Sequence, residues 1–104
     1  MPRLGEEEVE APVAGTPLRR TLVIANQRGL HARAAAKFVK TVGAFDAEVI
    51  VRKDDTQVSG LSIMGLMMLA AGPGCEIELI VNGPEAAEAV EAIAGMVTGK
   101  FDET

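Results

Sequence analysis

Apolar and polar residues alternate along three short stretches of the chain, a period of two that is typical of β-strands. These stretches run from Arg20 to Ala25, from Ala47 to Arg52 and from Glu76 to Val81. A further arm, Thr56 to Leu61, follows the Asp54-Asp55 pair, and such a pair predicts a β-hairpin turn. We therefore expect four strands, each with one apolar face.

Three other stretches carry apolar residues at helical spacing. The first predicted helix runs from Ala32 to Val42 and stops at Gly43, and the second runs from Ile63 to Ala70. The third has Pro84 at its first position and is closed by Gly99. Its apolar stripe should be buried: Ala86, Val90, Ile93 and Val97.

The order of these elements, βαββαβα, predicts an α+β fold. A four-stranded antiparallel sheet would carry the three helices on one face, as a two-layer sandwich. Charged residues occupy the outward positions of the strands, so the second face of the sheet should meet solvent. These residues include Glu48, Arg52, Glu76 and Glu78.

The composition fits one globular domain and excludes several kinds of function. The chain has 104 residues, of which 48% are hydrophobic and 24% charged, enough for a single core. A net charge of −5 and the absence of Trp and Tyr argue against binding to nucleic acid or to an anionic membrane. One cysteine and one histidine can form neither an internal disulfide nor a multi-His/Cys metal site, which fits a reducing cytoplasm.

The first seventeen residues differ in composition from the rest. Residues 1–17 contain four glutamates and three prolines but no apolar segment of the secretory type. We expect a disordered acidic tail at 1–17 and a folded domain at 18–104. The longest apolar run, Ile63 to Ala71, is too short to cross a bilayer.

Positive charge is concentrated in one part of this acidic protein. No acidic residue occurs between Ala11 and Phe45, yet six of the ten cations lie there. They are Arg19, Arg20, Arg28, Arg33, Lys37 and Lys40. The last three form a basic stripe on the first predicted helix that should face water.

The only histidine, His31, lies in this basic region between Gly29, which permits a sharp turn, and the first residues of the helix. Unpaired backbone N–H groups and the positive end of the helix dipole attract anions such as phosphate to that place. Arg33 could bring a guanidinium to phosphate oxygens. Imidazole has a reference pKa of about 6.5, and its neutral form could attack phosphorus. By position alone, a histidine that merely caps the helix is the more common case.

The second informative stretch is SIMGLMMLAAG, from Ser62 to Gly72, which is apolar on more than one helical face. A thin sheet cannot bury all of these side chains, so some should form an exposed patch that docks a partner protein. The candidates are Ile63, Met64, Leu66 and Met67. For Met68 and Leu69, filling the core is an equal alternative. Ser62 could accept a phosphate, although chemistry alone favours an ordinary N-cap.

Two motifs, GLHARAAAKFV and SIMGLMMLAAGPG, with Ser62 thirty-one residues after His31, resemble the HPr/NPr family. Its members are the histidine-containing phosphocarrier proteins of the phosphoenolpyruvate-dependent phosphotransferase system. The resemblance runs from about Arg20 to the C-terminus. It implies an open-faced β-sandwich, which agrees with the two-layer fold expected from periodicity.

The resemblance also implies the chemistry and the partners. Enzyme I would phosphorylate His31 on Nδ1 with a group taken from phosphoenolpyruvate, and EIIA proteins would receive it. Arg33 corresponds to the family's phosphate-coordinating arginine, beside Ala32 in the same phosphate-binding segment, and Ser62 to the serine that HPr kinase/phosphorylase modifies in some members. The implied docking surface contains Ile63, Met64, Leu66, Met67 and Lys40. We expect a cytoplasmic monomer with no cofactor and no metal.

Three features depart from the family pattern. Ala34 stands where the motif usually has Pro, which removes a fixed φ but should leave the amide donors intact. GAFDAEVIVRKDD and GKFDET resemble NPr, which serves the nitrogen-related branch, whereas SIMGLM resembles HPr. The acidic tail has no counterpart in the core motif.

These observations favour a phosphocarrier, a protein that is itself a covalent intermediate rather than a stand-alone enzyme. The alternative is a regulatory interaction module in which phosphorylation of His31 switches binding to a sensor enzyme or kinase. A hydrolase with His31 as general base is disfavoured, because no Ser or Cys nucleophile motif, orienting carboxylate or metal site accompanies the histidine.

Overall fold

The computed structural model, which describes residues 16–103, contains four strands and three α-helices. The strands are β1 (Leu18–Val23), β2 (Glu48–Lys53), β3 (Thr56–Ser59) and β4 (Glu76–Asn82). The helices are α1 (Ala32–Gly43), α2 (Ile63–Met68) and α3 (Ala86–Thr98). The strands form one antiparallel sheet in the order β1-β4-β2-β3. The predicted α+β class and the βαββαβα order are confirmed.

Strand pairing aligns the apolar faces so that they form one side of the core. Leu22 of β1 pairs with Ile77 of β4, and Leu79 of β4 pairs with Val51 of β2. Because paired residues point to the same face of a sheet, these side chains share one surface, and each is less than a tenth exposed. Phe38 of α1 and the predicted stripe of α3 belong to the same buried cluster.

The opposite face of the sheet carries charged side chains, as predicted. Glu78 of β4 forms ion pairs with Arg19 of β1 at 3.4 Å and with Arg52 of β2 at 3.0 Å. Such exposed pairs contribute little to stability, about 0–1 kcal/mol each. This face therefore remains open and is not a second core.

Five predicted boundaries, in β1, β3, α2 and α3, are wrong by two residues, and β3 ends at Ser59 rather than Leu61. β1 begins and ends two residues earlier than expected, although the Ile24 amide still donates to Cys75 O. α2 ends at Met68 because Ala70 has a left-handed backbone, with φ of 54°. α3 begins at Ala86 rather than Pro84, because the non-helical Glu85 is its N-cap.

A short turn after α3 was not predicted from the sequence. Residues 100–102 form a 3-10 turn in which Lys100, Phe101 and Asp102 all have positive φ, 60°, 54° and 63°. A left-handed conformation costs roughly 1–2 kcal/mol for a non-glycine residue. Burial of Phe101, which is 1% exposed, contributes about 1.5–3 kcal/mol and offsets part of the cost at the three positions. We call residues 100–103 the C-terminal hook.

Most of the predicted acidic tail, residues 1–15, lies outside the described residues. Within residues 16–103, no helix combines the length and the apolar character needed to cross a membrane. Cys75 is a free, half-buried thiol.

Candidate functional site

The turn before α1 is built by a glycine and a buried asparagine. Gly29 has φ of +66°, and a Cβ on it would overlap Ala71 O. The Asn26 side chain is fully buried and donates from Nδ2 to Gly29 O at 2.8 Å. The Leu30 amide then bonds to Ala71 O at 3.0 Å. These contacts fix the direction in which the chain enters α1 and therefore the position of His31.

His31 is the N-cap of α1, as predicted. Its Nδ1 accepts a hydrogen bond from the Arg33 amide at 3.2 Å, and its carbonyl accepts from the Ala35 amide at 2.8 Å. The Nδ1 lone pair therefore faces the positive end of the helix. The ring is 14% exposed, so it is shielded on several sides but still reaches solvent.

Two other amides at this helix end have no partner within the described residues. The Ala32 and Ala34 N–H groups donate to no acceptor among residues 16–103. Orphan amides at a helix start are donors for a bound anion. Ala34 keeps an N–H group that a proline would lack, but the residue is 0% exposed, so of these two amides only that of the exposed Ala32 can reach a bound anion. The Ala34 methyl group packs in the core.

A shallow cavity of about 330 Å³ opens beside the ring and is mainly cationic. Arg28, Arg33 and Lys37 contribute three positive charges to its lining, and Asp102 and Glu103 contribute two negative ones. The grouping of Arg33 with His31 was predicted. The prediction that Lys37 faces water is wrong, because its Nζ is half-buried and donates to Phe101 O at 2.7 Å.

Glu103 and Asn26 are site residues that sequence reasoning missed. The Nε2 atom of His31 is hydrogen-bonded to Oε2 of Glu103, and Asn26 Nδ2 donates to Oε1 of the same carboxylate at 3.1 Å. These hydrogen bonds, first from His31 and then from Asn26, hold the pKa of the Glu103 carboxyl below its ordinary value. No local motif links residues 31 and 103. The only indication of Glu103 in the sequence was the segment GKFDET, which resembles NPr.

Ser62 is the N-cap of α2, as predicted. Its hydroxyl oxygen accepts a hydrogen bond from the Gly65 amide at 2.9 Å, and the residue is half-buried. The hydroxyl is therefore already engaged in the structure of its own helix. A phosphate added there would replace this capping interaction.

The apolar surface of α2 is largely exposed, with one correction. Met64 is 68% exposed and Ile63 and Met67 are about two-fifths exposed, but Leu66 is 0% exposed, so its assignment to a docking surface is wrong. Leu66 is buried because it faces the core. Met68 is exposed, whereas Leu69 fills the core. Leu61, which was not predicted, extends the exposed patch, and Lys40 of α1 is exposed as expected.

The apolar patch is defined here as Leu61, Ile63, Met64, Met67 and Met68. It lies on α2 and the residues before it, and α2 packs against α1, which carries His31 at its N-terminus. The capping histidine and an exposed apolar surface therefore occupy two adjoining helices. Exposed apolar patches of this kind commonly mark surfaces that bind other proteins.

Comparison with known proteins identifies the family. A family model described as "PTS HPr component phosphorylation site" matches residues 18–98. Phosphocarrier protein HPr of Neisseria meningitidis is 49% identical over 86 residues, which cover 83% of this chain and 97% of that protein. Phosphocarrier protein NPr of Shewanella violacea is 42% identical over 88 residues, covering 85% and 97%.

Solved structures agree with the sequence comparison. HPr-C-His from Thermoanaerobacter tengcongensis superposes with a TM-score of 0.80 at 38% identity, covering 84% of this chain and 98% of that one. HPr from Bacillus anthracis superposes with a TM-score of 0.76 at 37% identity, covering 80% and 99%. The fold and the site thus define an open-faced β-sandwich with a helix-capping histidine.

The chain belongs to the HPr family of phosphocarrier proteins of the phosphotransferase system. As an HPr/NPr phosphocarrier, it works with the proteins of that system, which in general include enzyme I and EIIA.

Proposed function

We propose that His31 carries the phosphoryl group of this phosphocarrier and binds it through Nδ1. The observation that supports this proposal is the position of Nδ1 at the N-terminus of α1, next to amides without partners among the described residues. A lone pair on a partly exposed ring can reach phosphorus. The surrounding amide dipoles then stabilise the charge that arrives with it.

In this proposal the Arg33 amide changes acceptor during the reaction. When the Nδ1 lone pair forms the bond to phosphorus, it can no longer accept from the Arg33 N–H at 3.2 Å. That N–H then donates to a phosphoryl oxygen, together with the N–H of the exposed Ala32. The Arg33 guanidinium, which lines the same cavity, supplies a charge-assisted hydrogen bond.

The specific partners follow from the family and from the exposed surface. Phosphorylated enzyme I is the proposed donor and an EIIA protein the proposed acceptor, both docking on the apolar patch and Lys40. We further propose a monomeric folded domain at 18–104 that acts in the cytoplasm. Ser62 is the proposed target of HPr kinase/phosphorylase. Phosphorylation would displace the Gly65 N–H from the Ser62 hydroxyl.

The test is phosphorylation by enzyme I and phosphoenolpyruvate, followed by intact mass before and after acid treatment. The wild type should gain one acid-labile phosphoryl group. His31→Asn should gain none, because it lacks an imidazole, yet it should stay folded because asparagine is a good N-cap. Equal labelling of the two proteins would show that another residue is the carrier.

The exposed apolar patch favours a second function, a regulatory interaction module whose binding follows the state of His31. Met64 is the patch residue to change, because it is 68% exposed and contributes nothing to the core. Met64→Glu should weaken binding to enzyme I or to a sensor protein by tenfold or more, roughly the effect of losing one apolar anchor. Thr21→Glu, on the open face of the sheet, is the matched control. Binding that Met64→Glu leaves unchanged would contradict any docking role of the patch.

A further inference from the structure

The C-terminal hook places one carboxylate against the reactive ring. Phe101 is buried in the core, and its carbonyl accepts from Lys37 Nζ at 2.7 Å. The Glu103 amide donates to Lys100 O at 2.9 Å, which closes the turn. Glu103 is therefore held by an anchored segment.

Asn26 fixes the orientation of that carboxylate. Its Nδ2 group donates one hydrogen to Gly29 O at 2.8 Å and the other to Glu103 Oε1 at 3.1 Å. The opposite orientation of the amide would place a carbonyl oxygen against two acceptors, so the hydrogen-bond network defines it. With Oε1 held in this way, Oε2 is the oxygen that meets His31 Nε2.

The two nitrogens of the ring consequently have different roles. Nδ1 accepts from the Arg33 amide and so carries a lone pair, whereas Nε2 faces a carboxylate and so carries the hydrogen. A neutral imidazole has one nitrogen of each kind. Both contacts select the same tautomer, with Nδ1 as the nucleophile.

We propose that Glu103 is a positioning residue that keeps the Nε2 proton on His31 throughout the transfer cycle. This inference rests on the proposed function of His31. When the ring accepts the group, the Nδ1 lone pair forms the N–P bond while the bond from phosphorus to the donor breaks. When it donates, the N–P bond pair returns to Nδ1 and the acceptor binds the phosphoryl group. The Nε2 proton stays in place in both steps.

This arrangement governs how readily the group leaves. With Nε2 protonated, the leaving group is neutral imidazole, whereas loss of that proton would make it an imidazolate anion, which leaves far more slowly. The Glu103 carboxylate stabilises the protonated phosphorylated ring by a charge-assisted hydrogen bond. The other charged groups around the cavity are Arg28, Arg33, Lys37 and Asp102.

The experiment compares the wild type with Glu103→Gln and with Glu48→Gln. Glu103→Gln keeps the shape of the side chain and an acceptor for Asn26, so the hook should remain in place. Glu48→Gln makes the same change of charge at an exposed position of β2, outside the cavity. Each protein is phosphorylated by enzyme I, and nitrogen-15 NMR follows the Nε2 proton of the phosphorylated ring as the pH rises. Transfer to an EIIA protein is then timed.

We expect Nε2 of the wild type and of Glu48→Gln to keep its proton to higher pH than in Glu103→Gln. At a pH where Glu103→Gln has lost the Nε2 proton and the wild type has kept it, transfer by the variant should be slower on the order of tenfold. A shift of one pH unit in the protonation of Nε2 would produce a difference of this size. Equal Nε2 protonation and equal transfer in all three proteins would overturn this inference while leaving His31 as the carrier. A wild type that takes no label on His31 would overturn both proposals.

Discussion

At the scale of single residues, the site depends on one ring whose two nitrogens have different neighbours. Nδ1 of His31 faces the amides of α1, and Nε2 faces Glu103. The sequence placed His31 and Arg33 together because they are neighbours on one helix turn. Glu103 and Asn26 could not be found in this way, because their contacts with the site depend on how the whole chain folds back. The cavity beside the ring leaves part of His31 accessible.

Arg33 should contribute to transfer without contributing to stability. A charge-assisted hydrogen bond contributes about 1.5–3 kcal/mol, so Arg33→Ala should slow phosphoryl transfer by roughly 10- to 100-fold. The side chain is exposed, so the free energy of unfolding should change little. The check is the rate of transfer from enzyme I, with Arg52→Ala on the open face of the sheet as control. Equal transfer rates in these two variants would contradict a role for the Arg33 guanidinium.

At the scale of elements, the C-terminal hook completes the site that the N-terminus of α1 begins. The hook adopts an unfavourable left-handed backbone at three consecutive positions. Its anchors are the buried Phe101 ring and the hydrogen bond from Lys37 to the Phe101 carbonyl. The last side chain of this segment contacts His31, and backbone strain of this kind clusters at functional sites.

The contact of Glu103 should make stability depend on pH in a defined direction. Its carboxyl has a lowered pKa in the folded protein, mainly because of the His31 hydrogen bond, so folding favours the ionised form. The resulting stabilisation is present above the unfolded value of about 4.3 and is lost as the pH falls through the lower folded value. Urea unfolding should show the wild type more stable than Glu103→Gln at pH 7, and the difference should be smaller at about pH 3, below the unfolded value. A difference of the same size at both pH values would contradict this linkage.

At the scale of the whole molecule, the period of the apolar residues was sufficient to predict the fold class. Each helix and each strand except β3, in which Val58 is only half-buried, buries one face, so the pattern predicts the order βαββαβα. The strand order and the helix ends were harder to predict from the sequence. Ala70 and Glu85, at the end of α2 and the start of α3, adopt backbone conformations that tertiary contacts select. Leu66 was placed on the surface because periodicity cannot tell which side of an all-apolar helix faces the core.

The most direct test of the account is to locate the phosphoryl group on the ring itself. The protein, labelled with nitrogen-15 in histidine, is phosphorylated by enzyme I, and NMR then identifies the ring nitrogen bound to phosphorus. The account predicts that Nδ1 of His31 is the phosphorylated atom and that Nε2 retains its hydrogen. A phosphoryl group found on Nε2, or on any residue other than His31, would contradict it.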